Sequence, residues 1–216
     1  MKISNFLILT LASVSALVAC RTDAFVTYKE ADDPVAVSDR SKDAWVNIGK
    51  LEAVWASADS LYSRSEVPVV ERVEVNHLSG WKGERISAQL LLYTGNGADC
   101  VRCEVKDFRS SSSVMSADIA QARFVRYTIA DRGGMDCRCN RGPEMETILV
   151  PDMIDSLKVF NMDPRTVRPV WVTVNVPQDA EPGVYKSEIV VKSKGTSRIS
   201  LPFELEVVDQ VLPDYR

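Results

Sequence analysis

Along residues 172–191 apolar and polar positions alternate, break off and alternate again. Val172, Val174 and Val176 are separated by Thr173 and Asn175, the period of a strand with one buried face. Pro177-Gln178-Asp179-Ala180-Glu181-Pro182-Gly183 then interrupts the pattern with residues that no helix or central strand carries. Tyr185, Ser187, Ile189 and Val191 restart it, so the stretch predicts a hairpin. Tyr185 follows Pro-Gly-Val just as the second strand begins. A tyrosine there is placed to bond its hydroxyl to backbone immediately upstream, as in the tyrosine corners of β-sandwiches.

The same period recurs along the chain. Val69, Glu71, Val73 and Val75, set against Val70, Arg72 and Glu74, predict a strand from Val67 onward. Ile86 to Tyr93 reads as an apolar strand stopped by Gly95-Asn96-Gly97. Val101, Cys103 and Val105 predict another, followed by the solvated loop Ser110-Ser111-Ser112-Ser113. Phe124 to Ala130 predicts a strand ending in Asp131-Arg132-Gly133-Gly134. Ile199, Leu201, Phe203, Leu205 and Val207 give the last, with Pro202 marking an edge. Residues 44–62 fit both periods: Leu51, Val54, Trp55, Ala58, Leu61 and Tyr62 make a helical face, while Leu51, Ala53 and Trp55 alternate. Strands about ten residues apart with turn signals between them predict an all-β fold. The expected architecture is a mostly antiparallel β-sandwich, immunoglobulin-like or jelly-roll-like, without internal repeats.

The ends read differently. Lys2 precedes an apolar stretch, Phe6-Leu7-Ile8-Leu9-Thr10-Leu11, that is too short to span a bilayer stably. It closes in Leu17-Val18-Ala19-Cys20, which suits a bacterial lipobox cleaved once lipid is attached to the Cys20 sulfur. A plain secretory signal would not need the cysteine. The expected organisation is a lipoprotein signal peptide over 1–19, a tether over 20–43, a β-sandwich over 44–210 and the start of a linker over 211–216. The mature chain would be anchored to a membrane through Cys20 without spanning it. Arg21 gives no aspartate-type inner-membrane retention cue, so the expected location is the cell envelope, anchored at the outer membrane.

A net charge of −4 gives no electrostatic reason to bind nucleic acid, and 45% hydrophobic residues are too many for a disordered chain. Apart from Cys20, the cysteines are Cys100, Cys103, Cys137 and Cys139. An even set in an exported chain makes these the candidates for disulfides. Cys100-x-x-Cys103 suits zinc, but Cys137-x-Cys139 does not, so no metal is expected; free thiols are the remaining reading. A link from the Cys100/Cys103 region to the Cys137/Cys139 loop would enclose about 35 residues and contribute roughly 3–4 kcal/mol. Connectivity stays open.

Catalytic chemistry has little to work with. His77 is the single histidine, so a Ser-His-Asp or Cys-His arrangement has one candidate base. Its place after a strand and before a Ser79-Gly80 turn favours a solvated or capping role. Gly95-Asn96-Gly97 is a turn with no helix pattern behind it, not a phosphate cradle. No carboxylate pair stands out for glycosidase chemistry. Asp152 and Asp155 in VPDMIDSL would meet on one helical turn, but read better as capping and solvating a loop. Trp45, Trp55, Trp81 and Trp171 are candidate sugar platforms, yet rings of that size are expected in the core or at a domain interface. Trp171 lies off the Val170/Val172/Val174 face, hence in a second layer or exposed. No catalytic residue and no cofactor is expected.

Four blocks, GWKGERISAQLLLYT (80–94), CNRGPEMETILVPDMIDSL (139–157), TVRPVWVTVNVPQDAEPGVYKSEIVV (166–191) and VVDQVLPDYR (207–216), give the chain a family likeness. Taken in that order, from about Leu51 onward, it resembles the N-terminal β-sandwich domain of glycoside hydrolase family 123 proteins. The resemblance implies strand and loop over 51–62, and a structural role for Trp81, Lys82, Gly83, Glu84 and Arg85. Those enzymes are β-N-acetylgalactosaminidases acting on glycans such as glycosphingolipid headgroups. Their catalysis is substrate-assisted, with an adjacent Asp-Glu pair on a (β/α)₈ barrel that follows the sandwich. No Asp is followed directly by Glu in this sequence, so no catalytic residue carries over. The resemblance thus implies a non-catalytic domain associated with glycan degradation, with glycans or a catalytic barrel as its partners. A free-standing surface glycan-binding lipoprotein and a structural or adhesive sandwich are the alternatives.

Overall fold

The computed structural model describes residues 30–34, 39–131, 147–195 and 198–213. Cys20, the signal peptide, Cys137, Cys139 and the end of the proposed linker lie outside them. A short helix, α1 (Asp39–Ala44), is followed by twelve strands. These are β1 (Glu52–Ala56), β2 (Asn76–Lys82), β3 (Arg85–Thr94), β4 (Ala98–Val105), β5 (Phe108–Arg109) and β6 (Val114–Met115). Then come β7 (Ala120–Asp131), β8 (Thr147–Ile154), β9 (Phe160–Met162), β10 (Thr166–Asn175), β11 (Gly183–Lys192) and β12 (Ile199–Val211).

They form two sheets. One runs β1-β3-β10-β7-β8, and the other runs β2-β12-β11-β4-β9, with β5 and β6 attached to β11. Pairing is antiparallel except between β12 and β2, which run parallel. Every second residue of β10 from Val170 to Val174 is fully buried, and these meet Tyr185, Ile189, Phe203 and Leu205 of the other sheet in one apolar cluster. Trp55 reaches across it: its ring meets Phe203 edge-on at 5.7 Å, and its Nε1 donates to Pro202 O at 3.0 Å. Each such large side chain contributes roughly 1.5–3 kcal/mol by leaving water.

In β3 the alternation disappears: Leu90, Leu91 and Leu92 are all fully buried. The reason is a second cluster on the outer face of that sheet, where Trp45, Val54, Leu91, Tyr93 and Val167 pack with Ile48, Tyr62, Val67 and Val70. A strand covered on both faces reads as a continuous apolar run. Trp45 and Ile48 ahead of β1 and the chain between β1 and β2 supply this cover, and the latter corrects the strand expected from Val67. Residues 67–75 form no strand, and Val69 is 98% exposed. Pro68 removes a ladder donor, and Glu71, Arg72 and Glu74 keep the segment wet. Residues 44–62 resolve into a 3₁₀ turn at Trp45–Asn47, then β1 and a connection.

The 172–191 hairpin forms as expected. The Tyr185 hydroxyl donates to Glu181 O at 2.9 Å, and its ring is 1% exposed. Pro202 sits in an interior strand, but one residue before β2 pairing begins at Phe203, so its missing N–H faces no ladder. The Gly80–Arg85 block builds the β2–β3 turn. Gly83 takes φ +82°, Glu84 Oε2 accepts from Trp81 N at 2.7 Å, and Lys82 pairs with Asp209 at 2.5 Å.

Candidate functional site

His77 lies within β2, not beyond its end, and Ser79 and Gly80 continue the strand instead of turning. Its imidazole is 71% exposed, with Nδ1 3.2 Å from the Glu204 carboxylate, on the outer face of its sheet. Asp152 and Asp155 do not share a helical turn: Asp152 lies within the extended β8, and Asp155 follows its last residue, Ile154. Asp152 is exposed. Asp155 does cap the loop, accepting from Leu157 N at 3.1 Å, but it is buried and not solvated, and Arg126 pairs with it at 3.0 Å. Trp45 and Trp55 are core residues, Trp171 is half-buried and Trp81 is 42% exposed beside Val208. The four rings make no common platform: Trp45 and Trp55 belong to different apolar clusters.

Cys100 is disulfide-bonded, and its backbone takes φ +53° at an irregularity in β4, where Asn161 Oδ1 accepts from its N–H at 2.8 Å. Cys103 carries a free thiol that packs against the core, and burial pushes it up to about 12.

A buried charged site among the described residues was not legible in the sequence. β10 and β7 pair from Val170/Phe124 to Val174/Ala120 and then splay apart. Pro169, which has no N–H to offer, stands where the ladder ends. Into the gap comes Glu30. Its carboxylate accepts from both terminal nitrogens of Arg168, at 2.6 and 2.5 Å, and from Tyr127 N at 3.2 Å. Arg168 is 3% exposed, also donates to Val125 O at 2.9 Å, and lies over the Phe160 ring at 4.2 Å. Arg64 approaches Glu30 at 3.6 Å and donates to Ala31 O, while Ser65 donates to Asp33. Burial pushes the Glu30 carboxyl up, but hydrogen bonds and charge from Arg168, with Tyr127 and Arg64, outweigh it and hold the group below its ordinary 4.5. The arrangement is a bidentate, desolvated ion pair that binds the 30–34 segment to the sheets. The only sequence signal was an arginine on the apolar face of β10, three residues from Trp171.

A groove of about 600 Å³ lies elsewhere, between the β4 and β7 edges, with the 156–159 crossover at one end. Arg102, Cys103, Val105, Ala122, Arg123 and Lys158 are among its walls. Its size falls within the range of ligand pockets.

A model of the glycoside hydrolase 123 N-terminal domain matches residues 55–193. No curated protein matches the chain. Among solved structures, a family 123 glycoside hydrolase from Clostridium perfringens, described for glycolipid glycan hydrolysis, superposes with a TM-score of 0.67 at 19% identity. The match covers 76% of this chain and 28% of that one, so this chain spans little more than a quarter of the hydrolase. A PapD-like domain of human CEP192 gives a TM-score of 0.38 at 9% identity, covering 86% of this chain and 98% of that one. The periplasmic chaperone SfaE gives 0.34 at 5% identity, covering 65% of this chain and 58% of that one. With its two sheets and a family match over most of its described length, the chain belongs to the glycoside hydrolase 123 N-terminal domain family.

Proposed function

We propose that this chain is a non-catalytic β-sandwich module, immunoglobulin-like or jelly-roll-like, that serves a glycan-hydrolysing protein while anchored to the cell envelope through Cys20. The family match over residues 55–193 is the observation that carries this reading. It is supported by where the candidate chemistry lies. His77 is on a solvated sheet face with one carboxylate, and Asp155 is committed to Arg126. Its partners are glycans or a catalytic barrel domain, with no nucleic acid and no cofactor. Ten residues separate Cys20 from Glu30. Fully extended they reach at most about 35 Å, so the clamp at Arg168 would keep this end of the domain close to the bilayer.

Two measurements test the reading. Purified protein incubated with aryl N-acetyl-β-galactosaminides should release no aryl alcohol; turnover that disappears when a carboxylate is changed would overturn the non-catalytic role. Cells expressing Cys20→Ala should accumulate an unprocessed precursor that takes up no palmitate. Equal labelling of variant and wild type would remove the anchor.

A further inference from the structure

The groove between the sheets is bounded by two strand edges, and the parity of the ladders tells which backbone groups face it. Lys106 N donates to Glu188 O at 3.0 Å, opposite in register to the Val105/Ile189 pair. Antiparallel ladders alternate, so Arg102 and Glu104 also turn their backbone toward β11, and Val101, Cys103 and Val105 turn theirs away. Val101 meets β9 at Phe160. Cys103 and Val105 continue the same edge past the end of β9, with no strand beside them among the described residues.

The opposite wall is built the same way. Val176 N donates to Glu84 O at 2.8 Å, which sets Trp171 and Thr173 to face β7 at Arg123 and Gln121. Ala120, Ala122 and Phe124 therefore turn outward. Phe124 O is taken by Asp155 N at 2.8 Å, and the Ala120 N–H by Ala117 O. Ala122 and the Ala120 carbonyl remain, because β8 begins to pair only at Val125. Exposed edges of this kind are templates for a further strand.

Charge selects what fits. Arg102, Arg123 and Lys158 line the groove, and none has an acidic partner among the described residues. Its acids are Glu104 and Asp118. Glu104 is already bound by Lys192 at 2.7 Å and Lys106 at 3.2 Å, and Asp118 by the Ser116 hydroxyl. No described lining residue is aromatic, so a sugar ring would find no stacking face. We propose that the groove between the β4 and β7 edges receives an extended, acidic peptide segment of another polypeptide as an added strand. Main-chain bonds to Cys103, Val105 and Ala122 supply the affinity, and acidic side chains on the two faces of the added strand meet Arg102 on one side and Arg123 on the other, with Lys158 also in reach.

The test uses a fluorescein-labelled synthetic peptide in which pairs of glutamates alternate with single valines, so that both faces of the strand carry acid, with fluorescence anisotropy for binding and NMR amide exchange for the site. Saturable binding is expected, with exchange at Cys103, Val105 and Ala122 slowed by about tenfold or more. A lysine–valine peptide should not bind. The variant Arg102→Glu/Arg123→Glu/Lys158→Glu, checked for unchanged thermal unfolding, should weaken binding by at least about tenfold. If that variant unfolds early, Lys158→Glu alone should still lower affinity and steepen no other change. Absence of binding up to about 1 mM would overturn the proposal. So would binding without protection of the three amides, or binding by an oligoglucuronate that leaves them exchanging freely, which would make the groove a carbohydrate site.

Discussion

Changing Glu30 to glutamine keeps the side-chain shape and removes the charge that Arg168 was buried against. Two short bonds and the Tyr127 N–H contact are weakened at once, at a guanidinium that is 3% exposed. Removing one partner of a buried ion pair destabilises by about 3–5 kcal/mol, chiefly because the other charge is left uncompensated. Glu30 keeps 11% of its side-chain surface in water, so the lower end, about 3 kcal/mol, applies. For a domain of this size that lowers Tm by about 6–12 °C. Urea unfolding followed by the buried Trp45 and Trp55 should show a lower midpoint with an unchanged slope. Combining Glu30→Leu with Arg168→Met should recover most of the loss, since an apolar pair needs no mutual compensation. The pH dependence has a definite sign. The folded-state carboxyl lies below 4.5, so the contribution is complete above that value and disappears as pH falls through the folded-state titration. Wild type should lose stability relative to Glu30→Gln on going from pH 6 into that acid range. A midpoint for Glu30→Gln within about 0.5 kcal/mol of wild type at pH 7 would refute the clamp.

Other outcomes follow from single contacts. Tyr185→Phe removes the corner bond to Glu181 O and should cost about 1 kcal/mol in urea unfolding, without altering far-UV circular dichroism. Gly95→Ala would put a Cβ 1.6 Å from Ile48 O, which is backbone and has no rotamer to yield. It should destabilise by more than about 3 kcal/mol, read as lost soluble expression or a collapsed Tm. Leu90→Ala, at a fully buried position between the sheets, should cost about 2–5 kcal/mol. Cys103, with its thiol pushed up to about 12 by burial, should resist iodoacetamide at pH 8 in the native protein and react once urea unfolds it.

The parts of the fold legible in the sequence are those where one face of a strand is wet. The 172–191 hairpin and its tyrosine corner follow from residues that signal locally: alternating valines, two prolines, a glycine and a tyrosine. The 67–75 segment has the same alternation without the same fate. Periodicity says which residues share a face, but a strand also needs a neighbour, and here the segment is used to cover Leu91 and Val167 instead. Asp155 looked like a loop acid because its partner Arg126 is 29 residues away in sequence. Arg168 and Glu30 are 138 residues apart, so nothing in either stretch announces the other. Likewise, the groove is a property of where two ladders end, which depends on register between β4 and β9 and between β7 and β8.

We propose that this module has no hydrolytic chemistry of its own. The most direct measurement is release of N-acetylgalactosamine from a glycosphingolipid headgroup oligosaccharide by purified protein, followed by mass spectrometry against a heat-unfolded blank. The predicted result is release indistinguishable from the blank across pH 4–8. Steady release by the folded protein that is abolished by changing one of its own carboxylates would contradict it.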